Sequence, residues 1–150
     1  MSVTDNNGSL VLSGVLMYND RDDVLLLRRK DRGYLETPGG KVEGDDCKNL
    51  KLDGITFEDL ERAAIREMFE ELGQGFIVEE LDYVGSVSFT LSDGRGAVAH
   101  KFSTTLLFGE PVVNEPETFS NIEWVSSSSL VSRDDLSSDL TLLSKNFLNK

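Results

Sequence analysis

The chain has 150 residues, 39% hydrophobic and 28% charged, with a formal net charge of −12. That length suits one domain over residues 1–150, and that composition supports a packed core and excludes wholesale disorder. The acidic balance argues against nonspecific binding to a nucleic-acid backbone, which needs clustered Lys and Arg, and no apolar run approaches the roughly 18 residues of a membrane span.

The N-terminal stretch MSVTDNNGSL has no basic region followed by an apolar core, so no secretory signal is expected. Cys47 is the single cysteine and cannot form an internal disulfide. A reducing cytoplasm is the expected compartment, with Cys47 an incidental loop thiol.

Leu10–Tyr18 (LVLSGVLMY) is apolar and β-rich and reads as a strand. Asn19–Asp23 (NDRDD) is turn chemistry, and Val24–Arg29 (VLLLRR) reads as a second strand, closing a hairpin. Gly33–Thr37 leads into Pro38-Gly39-Gly40, whose proline and glycines favour a loop. Asp45–Thr56 is polar and mixed and reads as an exposed loop.

Thr56 is a good N-cap, and Asp59 three residues on gives a weak capping box. Phe57–Leu72 contains neither Pro nor Gly, and Gly73 stands where a glycine ends a helix. On a helical wheel Ile65, Met68, Phe69 and Leu72 form a core-facing stripe about 100° wide. Glu67, Glu70 and Glu71 occupy a separate face. Ala63 and Ala64 lie beside them, small enough for another backbone segment to come close.

Tyr83–Leu91, Val98–Phe108 and Ile122–Val125 read as strands, with a turn at Ser92–Gly96 joining the first two. Asp134–Asn149 carries Leu136, Leu140, Leu143 and Phe147 at helical spacing. Strands on both sides of a long helix, with a terminal helix, predict a mixed sheet between helices.

Glu67, Glu70 and Glu71 stand at i, i+3 and i+4, where like charges repel by a few tenths of a kcal/mol per pair. Either the face is solvated or something cationic sits on it. Carboxylates beside a glycine loop suit a hard divalent ion such as Mg²⁺, which takes oxygen ligands and shares the rest with water and phosphate.

The surrounding residues favour the cation. Glu58, seven residues, then Arg66-Glu67-Met68-Phe69-Glu70-Glu71-Leu72-Gly73 resembles the Nudix hydrolase signature G-x5-E-x7-R-E-U-x-E-E-x-G-U, with U a bulky apolar residue. Leu25–Arg29 followed by PGGKVE, and Glu123-Trp124-Val125 followed by Leu130, are similar to the family's flanking segments. The resemblance spans roughly residues 10–130. It implies an α/β (α+β) fold, the Nudix-type α/β/α sandwich with a mixed central sheet. Two departures stand out. Seventeen residues separate Gly40 from Glu58 where the pattern has five, an insertion of 12 over roughly Asp45–Thr56. Gln74 holds the final U position, and Phe76 is the substitute apolar contact.

The family's mechanism, carried onto matching positions, implies the following roles. A pyrophosphate bond in a nucleoside diphosphate linked to a group X is cleaved by water activated by bound Mg²⁺, with Mn²⁺ a substitute. Glu70 and Glu71 match the main metal ligands, Glu67 a ligand or the general base, and the carbonyl of Gly39 completes the metal site. Glu58 and Arg66 match a pair that ties the box together, Arg66 by bidentate contact to a carboxylate. Gly40 and Gly73 frame the box. Glu115, with Glu117 as competitor, matches an additional carboxylate for metal or water. Arg28, Arg29 and Lys41 are candidates to grip phosphate. If the strand alternates, Arg28 and Arg29 point to opposite faces and at most one reaches the site.

His100 has no Ser or Cys partner spaced for a triad and reads as structural or exposed. Trp124 reads as core, and Asn121 as a weaker candidate for a base edge. The implied partner is a small nucleotide, first a (deoxy)nucleoside triphosphate or an oxidised nucleotide, with no nucleic acid or membrane. The alternatives are an ADP-ribose or nucleotide-sugar pyrophosphatase and a non-catalytic ligand sensor. Sensors commonly lose the metal carboxylates, which this chain keeps. Dimers are common in the family, so a homodimer is a further expectation.

Overall fold

A computed structural model describes residues 1–148. Strand β1 (Leu10–Tyr18) turns at Asn19–Asp22 into β2 (Asp23–Arg29), where Asp22 takes a φ of 62° and the Asn19 side chain accepts from the Arg21 and Asp23 amides. Short strands β3 (Leu35–Glu36) and β4 (Gly39–Lys41) follow. The glycines of PGG therefore lie in a strand paired antiparallel to Leu12–Gly14, where a loop is expected from sequence. Only glycine allows it. A Cβ on Gly39 would lie 2.6 Å from the Gly14 Cα, and one on Gly14 2.7 Å from the Pro38 carbonyl oxygen.

The Asp45–Thr56 segment is also more ordered than an open loop. It holds a 3₁₀ turn at Gly44–Asp46 and a single helical turn, α1 (Leu50–Asp53). The buried Asp59 carboxylate accepts from the Lys48 and Thr56 amides, fastening both ends of the segment to the next helix. That helix, α2 (Phe57–Leu72), starts with the expected Thr56–Asp59 capping box and ends at Gly73 with a φ of 78°. Its buried face is Leu60, Ala63, Ala64, Met68 and Leu72. Ile65 and Phe69 of the expected stripe are only partly buried. The two alanines let β1 approach so closely that the Ser13 hydroxyl donates to the Leu60 carbonyl at 2.7 Å.

Strands β5 (Phe76–Val78), β6 (Asp82–Thr90), β7 (Gly96–Gly109) and β8 (Phe119–Ser126) complete the sheet. Its central path runs β3-β2-β1-β7-β5, with β4 on β1, β6 on β7 and β8 on β2. The β1–β7 pair is parallel and the others antiparallel, so the sheet is mixed. Alternation along β1 divides the core. Val11, Val15 and Met17 pack with α2, while Leu16 packs with Leu140 and Leu143 of α3 (Ser138–Leu143) on the opposite face. Helices on both faces give the expected α/β/α sandwich.

The terminal helix is shorter than Asp134–Asn149. It begins at Ser138 and continues as π-helical turns over Ser144–Leu148, and Asn149 lies outside the described residues. Trp124 is 36% exposed rather than core. Phe76 is buried and stacks on Phe69 at 5.3 Å, supplying the apolar contact that the exposed Gln74 does not. Among the described residues no helix is long and apolar enough to cross a membrane.

Candidate active site

The glutamate face of α2 packs against the glycine strand β4. The Gly39 amide donates to Glu71 Oε1 at 2.7 Å. A Cβ on Gly40 would lie 2.6–2.8 Å from the Glu67 carboxyl atoms, so glycine there is what lets Glu67 lie flat on the strand. Glu71 is 5% exposed, and burial pushes its carboxyl up to about 9 against the opposing Gly39 hydrogen bond. Burial also raises Glu67, with Glu70 and Glu115 repelling its charge. Glu70 is turned outward and half exposed, held by Arg66 Nη1 at 3.2 Å. As they stand, no three His, Cys, Asp or Glu side chains among the described residues converge into a ready cation cage.

Glu115 belongs to the same field. The segment before it runs along the end of α2 and covers its last carbonyls: the Val112 amide donates to Leu72, the Asn114 amide to Glu71 and the Asn114 side chain to Glu70. Glu115 is partly buried and raised by burial, Glu117 and Glu70. Glu117 itself is exposed.

Arg66 clamps the site, but its carboxylate partner is Asp46. Arg66 Nε and Nη2 meet the two Asp46 oxygens at 2.9 and 2.8 Å, and Nη2 also donates to the Lys41 carbonyl at 3.1 Å. Nη1 faces Glu67 and Glu70. Glu58 is exposed and has no hydrogen-bonded partner among the described residues, so the expected Glu58–Arg66 pair is corrected. Asp46 lies six residues after Gly40, the spacing of the signature's first glutamate. The extra residues therefore fall after the acid, between Asp46 and Arg66. Counting back from Arg66 finds Glu58 and counting forward from Gly40 finds Asp46; the fold selects the second. Capping supports Asp46, whose Oδ2 accepts the Glu43 amide at 2.8 Å.

The expected cations separate as strand alternation requires. Arg28 is committed elsewhere: Nε and Nη2 grip Glu123, and Nη1 meets Asp135 and the Gly33 carbonyl. It is a structural cross-tie and not a phosphate group's partner. Arg29 faces the other way, pairs with Glu36 and Asp31, and lines a cavity of about 360 Å³ that opens beside Gly39 and Gly40. Lys41, exposed at the end of β4, lines the same cavity. Its walls include Tyr34 and Phe89, and its floor holds Lys101, Thr37 and Asp139. None of these five stands out by motif, although a lysine in step with Ala97 and Ala99 on a buried strand is a signal in itself.

Other expectations resolve simply. His100 Nδ1 lies 2.9 Å from the Tyr83 hydroxyl, and burial lowers the imidazole. Asn121 is tied to Glu123 and Ser120 on β8, outside the cavity. Burial raises the Cys47 thiol, which disfavours the reactive thiolate.

The arrangement offers oxygen donors only, with Glu67, Glu71 and Glu115 all raised by burial and by neighbouring carboxylates, on a helix face packed against the glycines that edge the cavity. The donor set suits a hard divalent cation. The sequence profile of the NUDIX domain matches residues 11–145. The chain is similar to a MutT NUDIX hydrolase from Burkholderia pseudomallei, at 26% identity and TM-score 0.69, over 90% of this chain and 95% of that one. It shares the fold of the MutT protein from Methanosarcina mazei Go1, at 22% identity and TM-score 0.70, over 91% of each chain. It also shares the fold of the NUDIX domain of Shewanella oneidensis NrtR complexed with ADP ribose, at 15% identity and TM-score 0.64, over 93% of this chain and 88% of that one. No curated protein compared with the chain matches it. A profile covering all but the two ends of the sequence settles the relationship: this chain belongs to the Nudix family and is a Nudix pyrophosphohydrolase.

Proposed function

We propose that the chain hydrolyses the pyrophosphate bond of a nucleoside diphosphate linked to X, with a (deoxy)nucleoside triphosphate or oxidised nucleotide as first substrate and Mg²⁺ as cofactor. The observation that carries this reading is the packing of Glu67 and Glu71 on Gly39–Gly40 at the edge of the 360 Å³ cavity. A cavity of that size lies within the range that holds drug-sized ligands.

Glu67, Glu70 and Glu71 would hold Mg²⁺, with Glu115 as an added oxygen donor. Bound there, the ion lowers the pKa of water and neutralises charge on the phosphates. The chain's own groups do the rest. Glu67 is either one of the metal ligands or the general base that accepts the proton of the attacking water, and the burial that raises its carboxyl supports the second role. Arg66 orients Glu67 and Glu70 from one guanidinium, itself fixed by Asp46. Lys41 at the cavity mouth meets the phosphate chain, and Arg29 supports the cavity wall. Tyr34 and Phe89 supply surfaces for a base.

The ADP ribose in the NrtR domain makes an ADP-ribose pyrophosphatase the second reading. The retained glutamates weigh against a sensor without activity. A screen of phosphate and pyrophosphate release over nucleoside triphosphates, ADP-ribose and nucleotide sugars, with and without Mg²⁺, tests the proposal. Mg²⁺-dependent turnover of a triphosphate is expected. Turnover without divalent metal would sink the mechanism, and no turnover of any compound would favour the sensor.

A further inference from the structure

A charged pair lies at the floor of the cavity, on the face of β7 that turns from α2. Lys101 is 4% exposed, in step with the buried Ala97 and Ala99. Its Nζ donates to Thr37 Oγ1 at 2.6 Å and lies 2.8 Å from Asp139 Oδ2. Room for the ammonium comes from Gly14, the residue opposite in the parallel register, where a Cβ would approach Nζ to 3.2 Å. Asp139 is occupied on its other oxygen by the Ser137 hydroxyl at 2.8 Å.

A pair this deep is a poor stabilising device, since desolvating two charges offsets much of their attraction. An aliphatic residue in phase with Ala97 and Ala99 would serve the core as well. The pair instead lines a cavity that reaches Gly39 and Gly40, the residues on which Glu71 and Glu67 pack. Its hydrogen-bonding sense is also one-sided. A lysine ammonium has three donors and no acceptor, and two of the three are taken, with no third partner among the described residues. The Thr37 hydroxyl accepts from Lys101, which leaves its own hydrogen to donate. Both oxygens of Asp139 are already turned to protein donors. The floor therefore presents two adjacent donors, while the carboxylates beside them, Asp139 and Glu36, are each already paired with a cation. Because Asp139 balances Lys101 and Glu36 stands nearby, a neutral acceptor fits better than another anion.

We propose that Lys101 and Thr37 select the base, donating to a carbonyl oxygen on its edge, so that keto bases are preferred to amino bases. The inference rests on the nucleotide pyrophosphohydrolase reading above. Uracil and thymine carry an acceptor oxygen where cytosine carries an amino donor, and a 6-oxopurine differs from adenine in the same way. An amino group there would face the two donors of the floor and leave them unsatisfied. A hydrogen bond to a charged group is worth about 10- to 100-fold in discrimination.

The test is kcat/KM with Mg²⁺ for ITP against ATP and for UTP against CTP, in the wild type, in Thr37→Val and in the double variant Lys101→Met/Asp139→Asn. The double variant removes both charges together, so no buried ion is stranded, and thermal melting checks that each variant folds. In the wild type the keto member of each pair is expected to lead by about 10- to 100-fold. The ratio should fall several-fold in Thr37→Val and several-fold in the double variant, which keeps the Thr37 donor. A wild-type ratio near one, or one favouring the amino base, would overturn the base selection and leave the pyrophosphohydrolase reading standing. So would an unchanged ratio in two folded variants. Hydrolysis of ADP-ribose but of none of the four would overturn the base selection alone, and hydrolysis of none of these would overturn the reading of the site with it.

Discussion

Replacing Asp46 with Asn should weaken the fold and the site together, while Glu58→Gln should do neither. Asp46 is 6% exposed and holds Arg66 through two charge-assisted hydrogen bonds at 2.9 and 2.8 Å. Stranding one member of a fully buried pair costs about 3–5 kcal/mol. Arg66 keeps the Lys41 carbonyl, Glu67 and Glu70 as partners, and its side chain is 31% exposed, so the cost should fall to about 2–3 kcal/mol. For a chain of this length that is about 5–10 °C in Tm. Losing its anchor, Arg66 would lean further onto Glu67 and Glu70 and raise the Mg²⁺ concentration needed for half-maximal turnover. Glu58 is exposed, and its substitution should stay within about 0.5 kcal/mol. Calorimetric melting of the two variants, followed by Mg²⁺ titration of activity, reads both effects. A neutral Asp46→Asn with a destabilised Glu58→Gln would refute the reasoning and restore the pairing implied by counting back from Arg66.

Two further outcomes follow from the carboxylates. In EDTA the protein should lose stability as pH rises from about 5 to about 9. The folded state holds the Glu71 proton up to about 9 while the unfolded chain releases it near the ordinary 4.5, so the folded state binds more protons across that window. Melting temperature against pH checks this, and Glu71→Gln should flatten the slope; an unchanged slope would put the titration elsewhere. Gly40→Ala should fold but turn over poorly, because the new Cβ would lie 2.6 Å from Glu67 Oε1 and must displace that carboxylate. A loss of at least 10-fold in kcat with a melting temperature near wild type is expected.

What was legible in the sequence is what local periodicity and capping determine. Strand β1 runs from Leu10 to Tyr18 as its β-rich run predicts, and α2 keeps both its Thr56 cap and its Gly73 stop. Alternation along β2 separates Arg28 from Arg29. Less legible are features set by distant partners. Gly39 and Gly40 form a strand because Gly14, opposite Gly39, leaves room for the close backbone approach, which no local rule shows. Asp46 is obscured because an aspartate stands where the pattern has a glutamate and the added residues follow it. Lys101 is marked in sequence only by its phase with Ala97 and Ala99, and its partner Asp139 comes from α3, far along the chain.

The central claim is that the glutamate face of α2 is a metal-dependent catalytic centre. Side-by-side turnover of wild type, Glu70→Gln and Glu71→Gln on the best nucleoside triphosphate, at saturating Mg²⁺, tests it most directly. Each substitution should cut kcat by orders of magnitude while the circular dichroism spectrum is retained. Unchanged rates in both variants would contradict it.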